Sequence, residues 1–179
     1  MMIVLVLLPG CSPRATSYVR QDVDYSFIRK VAVLPFQNLS QDINANARVY
    51  SIFVAQLLDR QAVDVAEYGA VLSAMAQMQL DFNSVLPPEQ IVKLGKILEV
   101  DGIFFGSVQE YGLERISQDR TYTITASYSL AETQTGLTVW SAQARNDGAS
   151  FWRKLFGGGS ASLYSVSKSN VELALETLF

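Results

Sequence analysis

The chain has 179 residues, 49% of them hydrophobic and 17% charged, which is the composition of a globular domain with a core of its own. It has no histidine and one cysteine, which excludes Ser–His–Asp and Cys–His catalysis, internal disulfides and paired-cysteine metal sites. A net charge of −3 argues against a broad nucleic-acid-binding face.

Met1 to Leu8 form an uninterrupted apolar run. It is shorter than the roughly 20 residues of a membrane-spanning helix and near the lower end for a signal-peptide core. No Lys or Arg precedes it, so the true start is expected upstream. Leu8-Pro9-Gly10-Cys11 then resembles a bacterial lipobox, in which the cysteine receives a diacylglycerol and becomes the first mature residue. The other reading of Cys11 is a free, buried core cysteine. In lipoproteins of this kind Ser after the cysteine favours the outer membrane, and Ser12 fits that. The polar stretch that follows, without apolar period, predicts a tether. The expected division is a signal peptide over 1–10, a lipidated cysteine and tether over 11–29, and a single periplasmic domain over 30–179.

"KVAVLPFQN" is apolar on both faces and predicts a central strand, with Val31 and Val33 on one side and Ala32, Leu34 and Phe36 on the other. Pro35 should end its regular pairing. Tyr50, Phe53, Val54, Leu57 and Leu58 mark one face of a helix from about Asn46 to Arg60. "AVDVAEY" predicts a short second strand, and "GAVLSAMAQMQL" a second helix with Met75 and Met78 as core filler. "LPPEQIVKLGKILEVDG" predicts a third helix, with Pro88 in its first turn, Ile91, Leu94 and Leu98 inward, and Gly95 set for a close approach. "DGIFFGSVQEYG" is another central strand. Tyr122, Ile124, Ala126, Tyr128 and Leu130 then alternate with Thr121, Thr123, Thr125, Ser127 and Ser129, the period of a strand with one buried face. A turn at "TQTG" and the strand "LTVWSAQAR" complete a hairpin, and a last helix is expected over roughly Ala161 to Leu178 with Asn170 on its apolar stripe. An early βαβ half before an antiparallel meander predicts an α/β fold: a mixed sheet with helices packed on it.

Two stretches are candidate contact sites. Phe151, Trp152, Arg153, Lys154 and Phe156 combine aromatic and basic residues, which suits a bilayer interface or a protein hot spot; a loop whose aromatics cap the core is the alternative. The hydroxyl row Thr121, Thr123, Thr125, Ser127 and Ser129 is a candidate subunit interface, or else a solvated or helix-covered face. The acidic residues are scattered and no paired-carboxylate arrangement follows from their spacing. No enzyme activity, cofactor or metal is expected.

"VAVLPFQNLS", "VDVAEYGAVLSAM", "EQIVKLGKILEVDGIFFGSVQEYG" and "ETQTGLTVWSAQA" together resemble the periplasmic domain of CsgG/HfaB-type bacterial lipoproteins. The same core is similar to PelC, a ring-forming lipoprotein of exopolysaccharide export, and to LpoB, an activator of a peptidoglycan synthase. The resemblance spans about residues 30–179 and carries no catalytic signature. It implies an outer-membrane-anchored, CsgG-like periplasmic component of a secretion or export assembly. Its partners would be the membrane, through lipid on Cys11, and other envelope proteins; an oligomeric ring is one arrangement. The alternative it implies is a monomeric adaptor of the LpoB kind. CsgG-type channels insert two membrane hairpins per subunit, or roughly 40 extra residues. The segments from Glu110 to Arg120 and from Asn146 to Ser160 are too short for both, so a self-made outer-membrane pore is not expected.

Overall fold

The computed structural model describes residues 14–81, 86–116, 119–148 and 162–179. Seven strands form one sheet: β1 (Arg14–Val19), β2 (Lys30–Val33), β3 (Gln37–Asn38), β4 (Asp64–Val65), β5 (Gly102–Ile116), β6 (Asp119–Glu132) and β7 (Thr138–Asp147). Among the described residues the helices are α1 (Ala45–Arg60), α2 (Tyr68–Gln77), α3 (Pro88–Leu98) and α4 (Leu163–Leu175). The strand order is β1-β7-β6-β5-β2-β4, with β3 continuing along β5 where β2 stops. β2 and β3 run parallel to β5 and β4 parallel to β2, whereas β6, β7 and β1 follow as antiparallel neighbours. The fold is the expected mixed α/β sheet, with a βαβ-like half first and an antiparallel meander after it.

Pro35 separates β2 from β3 because it has no N–H for the ladder. The kink also moves Phe36 to the side of Val31 and Val33, while Ala32 and Leu34 pack on the opposite side. Strict alternation through the proline is thus corrected by one residue. Asp101, just before β5, accepts the backbone N–H groups of Arg29 and Lys30, each at 3.0 Å, and so ties β2 to β5 at their starts.

One face of the sheet is covered by α1 and α4. Phe36, Phe53, Phe104, Tyr128 and Trp140 meet there; the Phe53 and Tyr128 rings stack with centroids 5.2 Å apart, and Phe36 meets both edge-on. Asn170 of α4 is wholly buried on this face. Its Oδ1 accepts the Tyr128 hydroxyl at 2.9 Å, and its Nδ2 donates to the Ala144 carbonyl at 2.7 Å. Burial pushes the Tyr128 phenol above its ordinary range, so it stays a donor. The polar residue inside the predicted apolar stripe is therefore a clip between α4, β6 and β7. Leu58, placed on the inner stripe of α1 by periodicity, is instead 54% exposed, and Ala45, Val49 and Ile52 complete the buried face.

The other face carries α2 and α3 over β2 and the start of β5. Gly95 lies against Thr133, whose side chain occupies the space a Cβ would need, as the expected close approach requires. α3 ends at a left-handed residue, Glu99 (φ 52°), and β5 begins at Gly102.

The main correction concerns the segment read as a tether. Arg14–Val19 is a strand paired with β7 from Arg14↔Arg145 to Val19↔Trp140. Tyr25 donates its hydroxyl to the Val139 carbonyl at 2.6 Å, and Ile28 is buried in the main core. The polar residues that suggested a linker are those of a short edge strand, with Ala15 alone packing inward. The sheet thus reaches back to Arg14, and the signal-peptide span and Cys11 lie outside the described residues.

Asn170→Ala is expected to lower unfolding stability by about 2 kcal/mol, because Tyr128 and the Ala144 carbonyl lose a buried partner. Tyr128→Phe should cost about 1 kcal/mol. Urea unfolding monitored by tryptophan fluorescence checks both, and an Asn170→Ala chain as stable as wild type would remove the clip from the account.

Candidate assembly face of the sheet

Helices α2 and α3 reach β6 only at its Ala131 end, which leaves the rest of the β6 surface on their side, with β7 and β1, without a covering helix among the described residues. Alternation sets what this surface presents. On β6 the inward residues Ile124, Ala126, Tyr128 and Leu130 are all buried, as the period-two pattern predicts. Thr125, Ser127 and Ser129 point the other way and are partly exposed.

These side chains form ladders across the strands. Ser107 of β5 lies opposite Ser127, and their hydroxyls are 2.9 Å apart; Gln109 Nε2 donates to both at 2.8 Å. Ser129 donates to Ser141 of β7 at 3.1 Å. Ser127 is in register with Gln143 of β7, which pairs in turn with Thr16 of β1. Thr125 lies between Glu110 and Arg145; it donates to the Glu110 carboxylate, which also accepts from Arg145. Arg145 donates through Nη2 to Glu114 as well, at 3.1 Å. The Thr125 hydroxyl first, and Arg145 beside it, hold the Glu110 carboxyl below the usual carboxylate range. The surface is thus a neutral hydroxyl and amide field ending in an ion-pair cluster.

Where α2 and α3 meet the field there is a groove of about 480 Å³. Leu34, Met75, Ile91, Phe105 and Leu137 give it an apolar wall, and Ser127 and Ser129 form its polar floor. Gly136, at φ 76°, turns the β6–β7 hairpin against the backbone of Pro88 and so closes one end.

Of the predicted row, Thr125, Ser127 and Ser129 are brought together on this face. Thr121 lies near the hairpin end, beyond the last β6–β7 pair at Thr123↔Asp147. Thr123 is wholly buried, and its hydroxyl has no partner among the described residues. Phe151, Trp152, Arg153, Lys154 and Phe156 lie outside the described residues. Gln143, Ser141 and Arg145 were missed, although Ser141, Gln143 and Arg145 alternate with buried Trp140, Ala142 and Ala144 as plainly as the β6 row does. Glu110 was harder to place, because a register shift between Val108 and Glu110 moves it to the open face out of phase with the strand's first half. Within the segment from Glu110 to Arg120, β5 continues to Ile116 and β6 begins at Asp119, in the same antiparallel ribbon.

No family model and no curated protein sequence matches the chain. Solved structures do. A PelC dodecamer from Paraburkholderia phytofirmans aligns over 93% of this chain and 97% of its own, at 18% identity and TM-score 0.60. Lipoprotein GNA1162 from Neisseria meningitidis aligns over 83% and 99%, at 22% identity and TM-score 0.59. The LpoB C-terminal domain from Salmonella enterica aligns over 70% and 86%, at 12% identity and TM-score 0.52. The chain shares their fold. The PelC and LpoB part of the resemblance read from sequence therefore stands at the level of fold, while a CsgG-type channel is not among these neighbours.

A pH prediction follows from Glu110. A carboxyl held low in the folded state adds stability that is complete above its unfolded pKa and is lost as pH falls through the folded value. Glu110→Gln should cost about 1 kcal/mol or less at neutral pH, since the cluster is half-exposed, and should flatten the loss of stability on acidification. Melting temperature against pH for both chains checks this; identical slopes below the ordinary carboxylate range would contradict it.

Proposed function

We propose that this chain is a non-enzymatic lipoprotein, held on the periplasmic face of the outer membrane by lipid on Cys11. In this reading it is a structural component of an envelope export assembly and closes into a ring through the open half of its sheet. The observation that carries the reading is the hydroxyl and amide surface of β6 and β7, which no helix covers among the described residues. Likeness in fold to a lipoprotein and to a protein that forms a dodecamer supports it. The wider CsgG-type kinship read from the sequence would supply the export setting.

The start of β1 sharpens the geometry. Only Ser12 and Pro13 separate Cys11 from Arg14. Three extended residue steps reach about 10 Å. A diacylglycerol on Cys11 would therefore hold the sheet edge directly under the bilayer, as suits a collar beneath a membrane pore. The likeness to the LpoB domain favours a second reading, a monomeric adaptor that binds and activates a peptidoglycan synthase. That task needs a reach this link does not supply.

Cys11→Ala should remove the protein from the outer-membrane fraction. Retention in the outer membrane would remove the anchor. Gln143→Arg, which puts a charge in the middle of the open face, should cut the population of the assembled form at least about tenfold without lowering the melting temperature. Unchanged assembly would exclude this face as the interface. Recovery of a peptidoglycan synthase as the sole cross-linked partner would favour the adaptor.

A further inference from the structure

The two edges of the sheet differ. One ends in β4, which is two residues long. The other ends in β1, which is six. No strand lies beyond β1 among the described residues, and Thr16, Ser17, Tyr18 and Val19 are all exposed. Natural sheets blunt such an edge with a lysine, a proline, a bulge or an inward charge. Between Ala15 and Val19 there is none of these.

The backbone phase of β1 is set by its pairing with β7. Arg20 donates its N–H to the Val139 carbonyl at 2.8 Å. Antiparallel hydrogen bonding alternates along a strand, so Tyr18 and Thr16 also turn their backbone groups toward β7. Ala15, Ser17 and Val19 turn theirs outward. The free edge therefore offers donors and acceptors at three alternate positions centred on Ser17.

We infer that β1 pairs antiparallel with β1 of a second copy, across a two-fold axis at Ser17. This register alone lets every outward group of one strand meet an outward group of the other. Ser17 faces Ser17, Ala15 faces Val19, and about six backbone hydrogen bonds form. Between these pairs Thr16 faces Tyr18, so each exposed tyrosine ring covers a threonine of the other copy. No like charges oppose one another between Ala15 and Val19; at each end of the pairing Arg14 faces Arg20 of the other copy, whose guanidinium is neutralised by Asp22. Head-to-tail pairing of β1 with β4 is excluded by the length of β4. The two-fold stands normal to the sheet, so the open faces of both copies lie on one side and become continuous. This pairing stands independently of the ring reading; where both hold, the closed assembly has an even number of chains.

The test uses the full chain carrying Cys11→Ala, so that an introduced thiol is the only one. Thr16→Cys and Tyr18→Cys chains are oxidised gently, separately and mixed. A facing non-hydrogen-bonded pair has Cα atoms about 4.5 Å apart, within disulfide range. Like residues of the two copies are about 8 Å apart and beyond it. The mixed disulfide should exceed either homodimer at least tenfold. Ser17→Pro should keep the circular dichroism and melting temperature of wild type, since its N–H points away from β7, and should sediment without the edge-paired species. Equal cross-linking in all three mixtures, or a Ser17→Pro background in which the mixed disulfide still forms, would overturn the pairing. If a ring survives Ser17→Pro with no mixed disulfide formed, the edge pairing falls and the ring stands. A cross-linked dimer as the largest species keeps the edge pairing and removes the ring.

Discussion

Everything in this fold depends on β5 having two different neighbours. On one side it is parallel to β2 and β3; on the other it is antiparallel to β6. A parallel neighbour requires a crossover, and the crossovers supply α1, α2 and α3. An antiparallel neighbour needs only a turn, so the meander from β5 to β7 brings no helix of its own. Both faces of β2 are therefore packed, whereas among the described residues β7 has α4 on one face only. One face is closed along its length by α1 and by α4, which returns from the end of the meander. The other is closed over β2, β5 and the Ala131 end of β6. The open surface is a consequence of topology, and its hydroxyls and amides are what a strand must carry where no helix lies on it.

The same asymmetry explains which polar groups are buried. Asn170 enters the closed core because α4 lies across two antiparallel strands, where a side-chain amide meets a phenol and a backbone carbonyl at once. It fixes α4 in register while the stacked aromatics supply the burial. On the open side, polar groups satisfy one another laterally, through Ser107–Ser127, Ser129–Ser141 and the Glu110–Thr125–Arg145 run. This pre-orders the surface, so a partner that docks on it need not order those side chains.

Elements with a long or strict period were legible in the sequence. The β6 row, α3 and the strand at Val31–Val33 all fall where the pattern of apolar residues places them, and Asn170 stands out as a polar residue on an apolar stripe. Features decided by a distant partner were not. Arg14–Val19 has no apolar period because only Ala15 packs inward, so nothing local separates it from a linker; pairing with β7 makes it a strand. Phe36 and Glu110 each follow a break in the ladder, at Pro35 and at the shift after Val108, and a break inverts every later assignment of face. All five hydroxyls of the β6 row were visible from alternation; Thr125, Ser127 and Ser129 lie partly exposed on the open face, and the β7 half carried the same signal. Buried Thr123 could not be recognised, since burial at that end of the row depends on what lies over it.

The central claim is that the uncovered sheet surface of a lipid-anchored protein is where copies assemble. Native mass spectrometry of the lipidated full chain in mild detergent tests it most directly. A single closed oligomer at a defined mass, without a ladder of intermediates, is the predicted result. A clean monomer across the accessible concentration range would contradict it.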